Sequence, residues 1–372
     1  MTLPRFAALD DSWRPRSATI LITSYNYVGY VAQAIESALA QTHPAQVIVV
    51  EDGSTDGSRE VVERYDSRIE TLFQVNAGQG AAINAGFPRA TGDIIIFLDS
   101  DDTLAPTRVE RLLAEWKPGT VMFQGPLTIV DEHGTPEGIN PDPPDILDHG
   151  DVRLQLLRSG SFGVNVTSGL AFRRSTLESV VPVPAVATRT CPDGYLVRAI
   201  AFLGLVQRTH ESLGCYRRHG SNDSSVVAAP GGLAEGFQKK IVRAEREFGF
   251  TRDFAARHGL QTAADLGAHD PDYAGYRLFT RLVDPSFPTP ESNWRLLGRY
   301  LRARWTSPWT LKRRIMAVTL AVAAALSPTP TAVRLLTWLH DPSSRPEWWR
   351  KRNGNRRSAP HDPQPLGRRY DR

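Results

Sequence analysis

The chain has 372 residues, of which 41% are hydrophobic and 23% are charged. These values are ordinary for a globular protein and leave room for one large domain with additions or for two domains. The two cysteines, Cys191 and Cys215, exclude a disulfide framework and a zinc site, and they suit a reducing cytoplasm. Residues 1–17 lack the apolar core of a signal peptide, so we expect no secretory leader.

The net charge of +4 conceals an uneven distribution. Residues 291–372 contain 17 Lys and Arg against 5 Asp and Glu, a net charge of +12, whereas residues 1–290 carry −8. A mildly acidic body with a basic C-terminal part is typical of proteins that contact anionic surfaces. The basic residues are not organised on a recognisable nucleic-acid-binding module, so we expect no nucleic-acid partner.

After an irregular segment over residues 1–17, strand and helix patterns alternate from residue 18 to residue 104. Continuous apolar runs predict strands that are buried on both faces, and apolar residues at helical spacing predict helices between them. The predicted strands are 18–23, 46–50, 69–74 and 94–98, and the predicted helices are 28–41, 58–65 and 81–90. With right-handed crossovers, this order gives an α/β fold with a Rossmann-like, mostly parallel sheet flanked by helices.

Further along the chain we expect helices at 106–116, 152–159, 193–203 and 232–257, and strands at 121–130, 169–174, 205–210 and 213–217. Residues 131–150 are rich in Pro, Asp and Gly and predict a loop. The apolar run at 315–326 is about 18 Å long as a helix, which is shorter than a membrane span requires. Together with a second apolar patch at 332–339, it predicts a buried or interfacial helical hairpin.

Three aspartates, Asp99, Asp101 and Asp102, follow the most apolar predicted strand. Open α/β sheets bind their ligands at the carboxyl ends of such strands. Three carboxylates within four residues repel each other unless a cation neutralises them, and hard oxygen ligands favour Mg²⁺ or Mn²⁺. The structural alternative is an acidic turn that caps the next helix.

These aspartates belong to an ordered series of motifs that resembles family 2 glycosyltransferases of the GT-A fold. The resemblance covers residues 18–225 and rests on Ser24-Tyr25-Asn26, Ala34-Ile35-Glu36-Ser37, Val49-Val50-Glu51-Asp52-Gly53-Ser54, Asn76-Ala77-Gly78, Leu98-Asp99-Ser100-Asp101-Asp102 and Tyr216-Arg217-Arg218-His219. It implies a hexosyltransferase-type enzyme that moves a sugar from a nucleotide diphosphosugar, with UDP favoured, to an acceptor hydroxyl with inversion.

The resemblance also implies roles for individual residues. Asp101 and His219 would hold the Mg²⁺ or Mn²⁺ ion. The expected nucleotide- and donor-binding residues are Thr23, Tyr25, Asn26, Asp52, Asn76, Gly80, Asp99 and Arg217. For Asn76 and Gly80 the structural alternative is a tight turn, and for His219 it is a surface loop.

The expected general base is Asp193, which opens the helix predicted at 193–203. The family often has an acidic pair at this place, and here Pro192 replaces its first member. An inverting transfer needs a base that accepts the proton of the acceptor hydroxyl. The structural alternative is that Asp193 only caps its helix.

Two other functions fit parts of the pattern. A non-catalytic nucleotide-sugar-binding domain would keep the fold without the base. The run ending in Asp99-Ser100-Asp101 also resembles haloacid-dehalogenase-like phosphohydrolases, in which Asp99 would be the nucleophile and Asp101 the general acid. That motif normally lies on the first strand, whereas here three βα units precede it.

The predicted organisation has four parts: an irregular segment over 1–17, a GT-A catalytic domain over 18–225, a helical extension over 226–340 and a disordered basic tail over 341–372. Within the extension, residues 309–339 form the predicted hairpin, which either contacts a membrane interface or packs on the catalytic domain or a second subunit. A glycan or lipid-linked acceptor for cell-surface polysaccharide or glycolipid synthesis is the family-level expectation. We therefore expect a cytoplasmic protein, at the inner face of the cell membrane if the hairpin binds lipid.

Overall fold

The computed structural model describes residues 3–6, 12–219, 232–340 and 344–346. The strands are β1 (Ala18–Ser24), β2 (Gln46–Glu51), β3 (Glu70–Phe73), β4 (Ile94–Asp99), β5 (Thr103–Leu104), β6 (Thr120–Gln124), β7 (Leu127–Val130), β8 (Pro136–Asn140), β9 (Leu170–Arg173), β10 (Leu205–Arg208) and β11 (Gly214–Arg217). The helices are α1 (Val31–Leu39), α2 (Ser58–Glu63), α3 (Gln79–Gly86), α4 (Arg108–Glu115), α5 (Arg153–Ser159), α6 (Arg174–Leu177), α7 (Asp193–Ala201), α8 (Gly232–Arg257), α9 (Pro271–Val283), α10 (Asn293–Trp305), α11 (Leu311–Ala325) and α12 (Thr329–His340).

Seven strands form the central sheet in the order β10-β6-β9-β4-β1-β2-β3, and β9 alone among them runs antiparallel to its neighbours. In this sheet Ser24 lies opposite Glu51, and Thr23 lies opposite Asp99. The loops that follow β1, β2 and β4 therefore start at the same edge. The Rossmann-like, mostly parallel sheet predicted from the sequence is confirmed.

Alternate residues of the central strands enter two apolar cores, one on each face of the sheet. Leu21 and Phe97 belong to the core beneath α3 and α7, whereas Ile22 and Leu98 belong to the core beneath α1 and α4. All four side chains are at most 2% exposed. Burial on both faces explains why these strands are continuous apolar runs rather than alternating patterns.

Two expectations for the middle of the chain are wrong. The single strand expected over 121–130 is two strands, because Gly125-Pro126 interrupts it and proline lacks the N–H that a ladder requires. Its second half, β7, joins a separate sheet in the order β5-β11-β7-β8. The loop expected over 131–150 contains β8, an exposed edge strand where proline and glycine are tolerated.

The helical extension has an apolar core of its own, formed by α8 to α12. The 26-residue helix α8 connects this core to the domain that contains the central sheet, since Phe237 lies in the extension core and Phe254 lies in the core beneath α7. The boundary expected at residues 225–226 falls outside the described residues, as does most of the basic tail expected over 341–372.

The helices α11 and α12 occupy the predicted hairpin, and they bury one face in the extension core. Ala317, Ala321 and Leu336 are completely buried, whereas Leu311 and Ile315 are about half exposed. In the described part of the chain, no helix is both long enough and apolar enough to span a membrane.

The last residue of α12, His340, is expected to make the extension sensitive to acid. Its ring lies among the rings of Phe237, Tyr276 and Phe279, at centroid distances of 5.1 to 6.4 Å. Burial lowers the pKa of His340 to about 4, although Asp272 opposes this shift. Because the unfolded chain then binds the proton more tightly, His340 should cost about 2 kcal/mol of stability between pH 7 and pH 5.

We expect the free energy of urea unfolding to fall less over this pH range in His340→Gln than in the parent protein. Gln cannot be protonated, so the difference between the two proteins isolates the contribution of His340 from that of the carboxylates. Equal falls in both proteins would show that His340 is not held in its neutral form.

Candidate functional site

A cavity of about 570 Å³ opens at the carboxyl ends of β1, β2 and β4. It brings together most of the site residues expected from the sequence, namely Thr23, Tyr25, Asn26, Asp52, Asn76, Asp99, Asp101 and Asp193. Three expected site residues, Gly80, Arg217 and His219, do not line it. The parallel order of the strands explains this convergence, because their carboxyl ends lie at one edge of the sheet.

The loop after β1 is fixed to the loop after β2 by Asn26. This residue has a φ of 57°, a left-handed conformation that asparagine tolerates better than most side chains. Its Oδ1 accepts a hydrogen bond from Thr55 N at 2.8 Å, and its own N–H donates to Ser54 Oγ at 2.9 Å. Tyr25 is 43% exposed beside the cavity.

Asp52 organises the far wall of the cavity. Its Oδ1 accepts hydrogen bonds from Gln74 Nε2 at 2.6 Å and Ala77 N at 2.8 Å, and its Oδ2 accepts one from Gly78 N at 2.8 Å. A carboxylate oxygen can accept two hydrogen bonds, so Oδ2 keeps acceptor capacity. Asp52 therefore holds the loop over residues 74–78 and can still receive an N–H group.

Gly80 packs against the chain that enters α7 instead of lining the cavity. Its N–H donates to the carbonyl oxygen of Thr188 at 3.0 Å, and a Cβ at position 80 would lie 2.7 Å from that oxygen. Next to it, Gln79 N donates to Arg189 O at 2.8 Å, and Arg189 Nη2 donates to Asn76 Oδ1. Gly80 thus allows a close approach of two backbones and does not line the cavity, and the nucleotide contact expected for it stays a prediction.

Asp99 ends β4 inside the cavity, and its Oδ1 accepts a hydrogen bond from Gln79 Nε2 at 2.6 Å. Burial, reinforced by the negative charges of Asp101 and Asp193, raises the pKa of Asp99 to about 8. Asp99 therefore holds a proton more readily than an exposed carboxyl group does, and a protonated Asp99 reduces the repulsion among the three acidic side chains.

Asp101 is paired with His219, as their side chains are 3.0 Å apart between Oδ2 and Nε2. The imidazole is largely buried, with 5% side-chain exposure, and lies near the rings of Tyr27 and Tyr30. His219 is therefore not the surface loop histidine that the sequence left open. A carboxylate oxygen and an imidazole nitrogen face each other at the edge of the cavity.

Arg217 lies beneath the acidic motif, with its donors directed at protein acceptors. Its Nε donates to Asp101 O at 3.0 Å, its Nη2 donates to Gln33 Oε1 at 2.7 Å, and its Nη1 donates to Glu132 O at 3.3 Å. Its main-chain N–H donates to Asp102 Oδ1 at 2.9 Å. Arg217 therefore braces the backbone of the motif and does not line the cavity, and the phosphate contact expected for it stays a prediction.

Asp102 belongs to the interior rather than to the cavity, since it is only 1% exposed. Burial, reinforced by the neighbouring carboxylates, raises the pKa of Asp102 well above its ordinary value. The buried guanidinium of Arg108 donates to the carbonyls of Ser168 and Leu170 and is attracted by Asp102. Burial lowers the pKa of Arg108 to about 9.

Asp193 is the first residue of α7, and its side chain does not cap that helix. The carboxylate lines the cavity, with 15% side-chain exposure. Its Oδ2 lies 3.4 Å from Nη2 of Arg243, a residue of α8. The simple helix-cap alternative therefore does not describe Asp193.

Sequence comparisons identify the family of the chain. The sequence model of glycosyl transferase family 2 matches residues 19–181. The glycosyltransferase alr2836 of Nostoc sp. strain PCC 7120 is 35% identical over 256 residues, which cover 67% of this chain and 78% of that protein. The chain belongs to glycosyl transferase family 2. The haloacid-dehalogenase-like alternative is overturned by this membership.

Further similar proteins were found by sequence and by structure. The putative teichuronic acid biosynthesis glycosyltransferase TuaG of Bacillus subtilis is 36% identical over 107 residues, which cover 27% of this chain and 42% of that protein. Among solved structures, residues 1–349 of TarS from S. aureus align with 14% identity and a TM-score of 0.46, covering 87% of this chain and 91% of that fragment. The α/β fold class expected from the motifs, with its helical C-terminal region, is confirmed by the sheet order and by helices α8 to α12.

Sequence reasoning missed several polar residues of this family 2 site, among them Gln79, Arg189 and Arg243. Gln79 follows the Asn76-Ala77-Gly78 motif directly, so its position was a usable signal. Arg189 and Arg243 lie in segments without a motif, and Arg243 is one of several arginines on a charged helix. Only the packing of α8 on α7 shows that Arg243 reaches the cavity.

We expect Gly80→Ala to lower the free energy of unfolding by about 1–3 kcal/mol, because the added methyl group separates the two backbones that meet at Thr188. Urea unfolding monitored by circular dichroism measures this change. Gly249→Ala is the matched control, since a Cβ at position 249 would enter open space with no packed atom within 4 Å, and alanine favours a helix. Equal stability of both variants and the parent protein would contradict the close approach.

Proposed function

We propose that this family 2 protein transfers a hexosyl group from a nucleotide diphosphosugar to an acceptor hydroxyl, with inversion at the anomeric carbon. The observation that carries the proposal is the convergence of Asp52, Asp99, Asp101 and Asp193 on one cavity. These residues come from three separate segments of the chain, and the family resemblance gives each a different part of the reaction. The cavity volume of about 570 Å³ lies in the range of pockets that bind small molecules.

The donor is proposed to lie with its nucleoside between the loops after β1 and β2. Asp52 would accept the N–H of a uracil base through its remaining acceptor capacity, which supports UDP as the nucleotide. Tyr25 and Asn26 would border the nucleoside, with Thr23 and Asn76 nearby, and Asp99 would face the ribose or the donor sugar. Because Gln79 holds one oxygen of Asp99, its other oxygen is oriented for a ligand hydroxyl.

A divalent cation fits the residues around Asp101. In the described residues, no group of three or more His, Cys, Asp or Glu side chains is arranged to hold a metal by itself. Mg²⁺ commonly binds one or two carboxylates together with substrate phosphates, and imidazole also suits Mn²⁺. Asp101 and His219 would therefore hold the ion, and its charge would stabilise the diphosphate leaving group.

Asp193 is proposed as the general base. Its carboxylate would accept the proton of the acceptor hydroxyl while that oxygen attacks the anomeric carbon. The bond between the anomeric carbon and the phosphate oxygen breaks on the opposite side, and the nucleoside diphosphate leaves. A positioned base contributes about 10²- to 10⁴-fold to such a step.

The acceptor is proposed to be a glycan or lipid-linked glycan at the inner face of the cell membrane. Residues 293–340, from α10 to α12, contain eight Lys and Arg and no Asp or Glu. Trp305 is 53% exposed, and Leu311 is 55% exposed beside Lys312. Exposed apolar side chains among basic residues suit an anionic lipid surface.

The donor proposal predicts that UDP binds more tightly with Mn²⁺ than without it, and that Asp101→Asn removes the difference. The variant lacks the carboxylate charge that would hold the ion, and we expect at least about tenfold weaker binding in the presence of Mn²⁺. Isothermal titration calorimetry of both proteins, with and without Mn²⁺, measures this effect.

The matched control for that experiment is Asp253→Asn, the same change at an exposed position of α8. It should bind UDP as the parent protein does. Absence of binding by UDP, GDP and dTDP in the presence of Mn²⁺ would reject the transferase proposal. Binding of a nucleotide without any sugar transfer would favour the non-catalytic binding domain.

The membrane proposal predicts that the protein sediments with vesicles of phosphatidylcholine and phosphatidylglycerol but not with phosphatidylcholine alone. Each basic residue near an anionic surface contributes about 1 kcal/mol, so the double variant R302Q/K312Q should bind roughly tenfold more weakly or worse. R64Q/K117Q, which makes the same charge change on exposed residues of the catalytic domain, should bind normally. Equal sedimentation of the parent protein with both vesicle types would reject the lipid contact.

A further inference from the structure

The guanidinium of Arg243 connects the helical extension to the proposed base. Its Nη2 lies 3.4 and 3.5 Å from the two oxygens of Asp193, and its Nη1 lies 2.9 Å from Cys191 Sγ. On its other side, Nε donates to Glu247 Oε1 at 2.8 Å, one turn further along α8. A single planar group thus joins α8 to the first turn of α7.

The same contact continues to a second arginine beneath the cavity. Glu247 Oε2 lies 2.8 Å from Nη2 of Arg198, whose Nη1 donates to the carbonyl of Gly194 at 2.9 Å. Gly194 directly follows Asp193 in the chain, so the hydrogen bond from Arg198 fixes the backbone next to the proposed base. The side chain of Asp193 is held by Arg243, and its backbone is held through Arg198.

Gly194 shows that this network is closely packed. A Cβ at position 194 would lie 2.8 Å from Cδ of Glu247, closer than real Cβ contacts. The absence of a side chain at position 194 therefore lets the Glu247 carboxylate approach the start of α7. Both Arg198 and Glu247 are largely buried, with side-chain exposures of 8% and 12%.

Two carboxylates, those of Asp193 and Glu247, face the two guanidinium groups of Arg198 and Arg243. Burial alone would raise the pKa of Glu247, but Arg198 and Arg243, with a smaller contribution from Arg246, lower it below its ordinary value. Asp193 contacts Arg243 on one side, and Arg243 in turn contacts Cys191. The proposed base therefore lies beside a cation that can hold its carboxylate in one orientation.

We propose that Arg243 is a positioning residue that holds the carboxylate of Asp193 in place for the acceptor, so that the helical extension forms part of the active site. The inference rests on the proposed function, because it assumes that Asp193 is the base. A displacement of about 1 Å in a reacting group can cost about 10²-fold in rate, so loss of the contact should be visible in turnover.

The test measures the release of UDP from UDP-glucose and UDP-N-acetylglucosamine across a pH series, with Mn²⁺ present. We expect R243Q to lower kcat about 10- to 100-fold and to move the acidic limb of the pH profile to higher pH. The calorimetric Kd for UDP should stay within about twofold of the parent value, since Arg243 acts on Asp193 and not on the nucleotide. R243K, which keeps the charge without the planar fork, should recover part of the loss.

R252Q is the matched control, because it makes the same substitution at an exposed arginine of the same helix. It should show the kcat and pH profile of the parent protein. Thermal melting checks that R243Q is folded, and if it is not, R243Q/E247Q removes both charges of the pair and is tested instead. The same kcat and pH profile are expected for the double variant as for R243Q.

Two results would overturn the inference while the proposed function stands. In the first, D193N loses activity but R243Q keeps the kcat and acidic limb of the parent protein. In the second, R243Q raises only the KM, which would make Arg243 a substrate contact instead of a positioning residue. Full activity of D193N would instead show that Asp193 is not the base, and no UDP release by the parent protein would reject the proposed function. Either result would also reject the inference about Arg243.

Discussion

The structure of the site depends on how a sheet edge accommodates five acidic side chains. Two unit charges about 4 Å apart interact by about 4 kcal/mol near a protein surface, so several unpartnered carboxylates would oppose folding. The fold gives each carboxylate a separate partner. Asp52 accepts hydrogen bonds from three N–H groups, Asp99 accepts one from the amide of Gln79, and Asp102 accepts one from the main-chain N–H of Arg217. Asp101 is paired with the imidazole of His219, and Asp193 is paired with the guanidinium of Arg243. Much of the surrounding chain therefore serves to supply these partners.

The fold was largely predictable because its signals are local. Strands buried on both faces must be apolar at every position, and β1, β2 and β4 show this directly in the sequence. The errors fall where tertiary context decides the structure. The Gly125-Pro126 step sends β6 and β7 into different sheets, and β8 forms only because β7 offers it a partner. The Gly125-Pro126 step marks the interruption in the sequence, but the sheet that each half joins and the partner that β8 finds are decided by other segments.

The candidate site was predictable at the level of which loops meet, but not at the level of where each side chain points. Topology alone places Asp52 and Asp99 at one edge. The motifs that contain Arg217 and Gly80 are correctly located, yet the arginine turns beneath the acidic loop and the glycine packs on Thr188. A motif in the sequence does not predict such side-chain orientations, since they depend on contacts with backbone segments from distant parts of the chain.

Arg243 lies outside the family 2 match, which ends at residue 181. Its orientation, too, is set by packing between distant parts of the chain. The helix that carries Arg243 has Phe237 in one apolar core and Phe254 in another, so α8 cannot shift without disturbing both. A charged contact made from such a helix is geometrically fixed by hydrophobic packing on either side of it. The extension is thus a rigid support for one wall of the cavity. Its sequence can vary on the outer surface, provided that the packing which sets the position of Arg243 is kept.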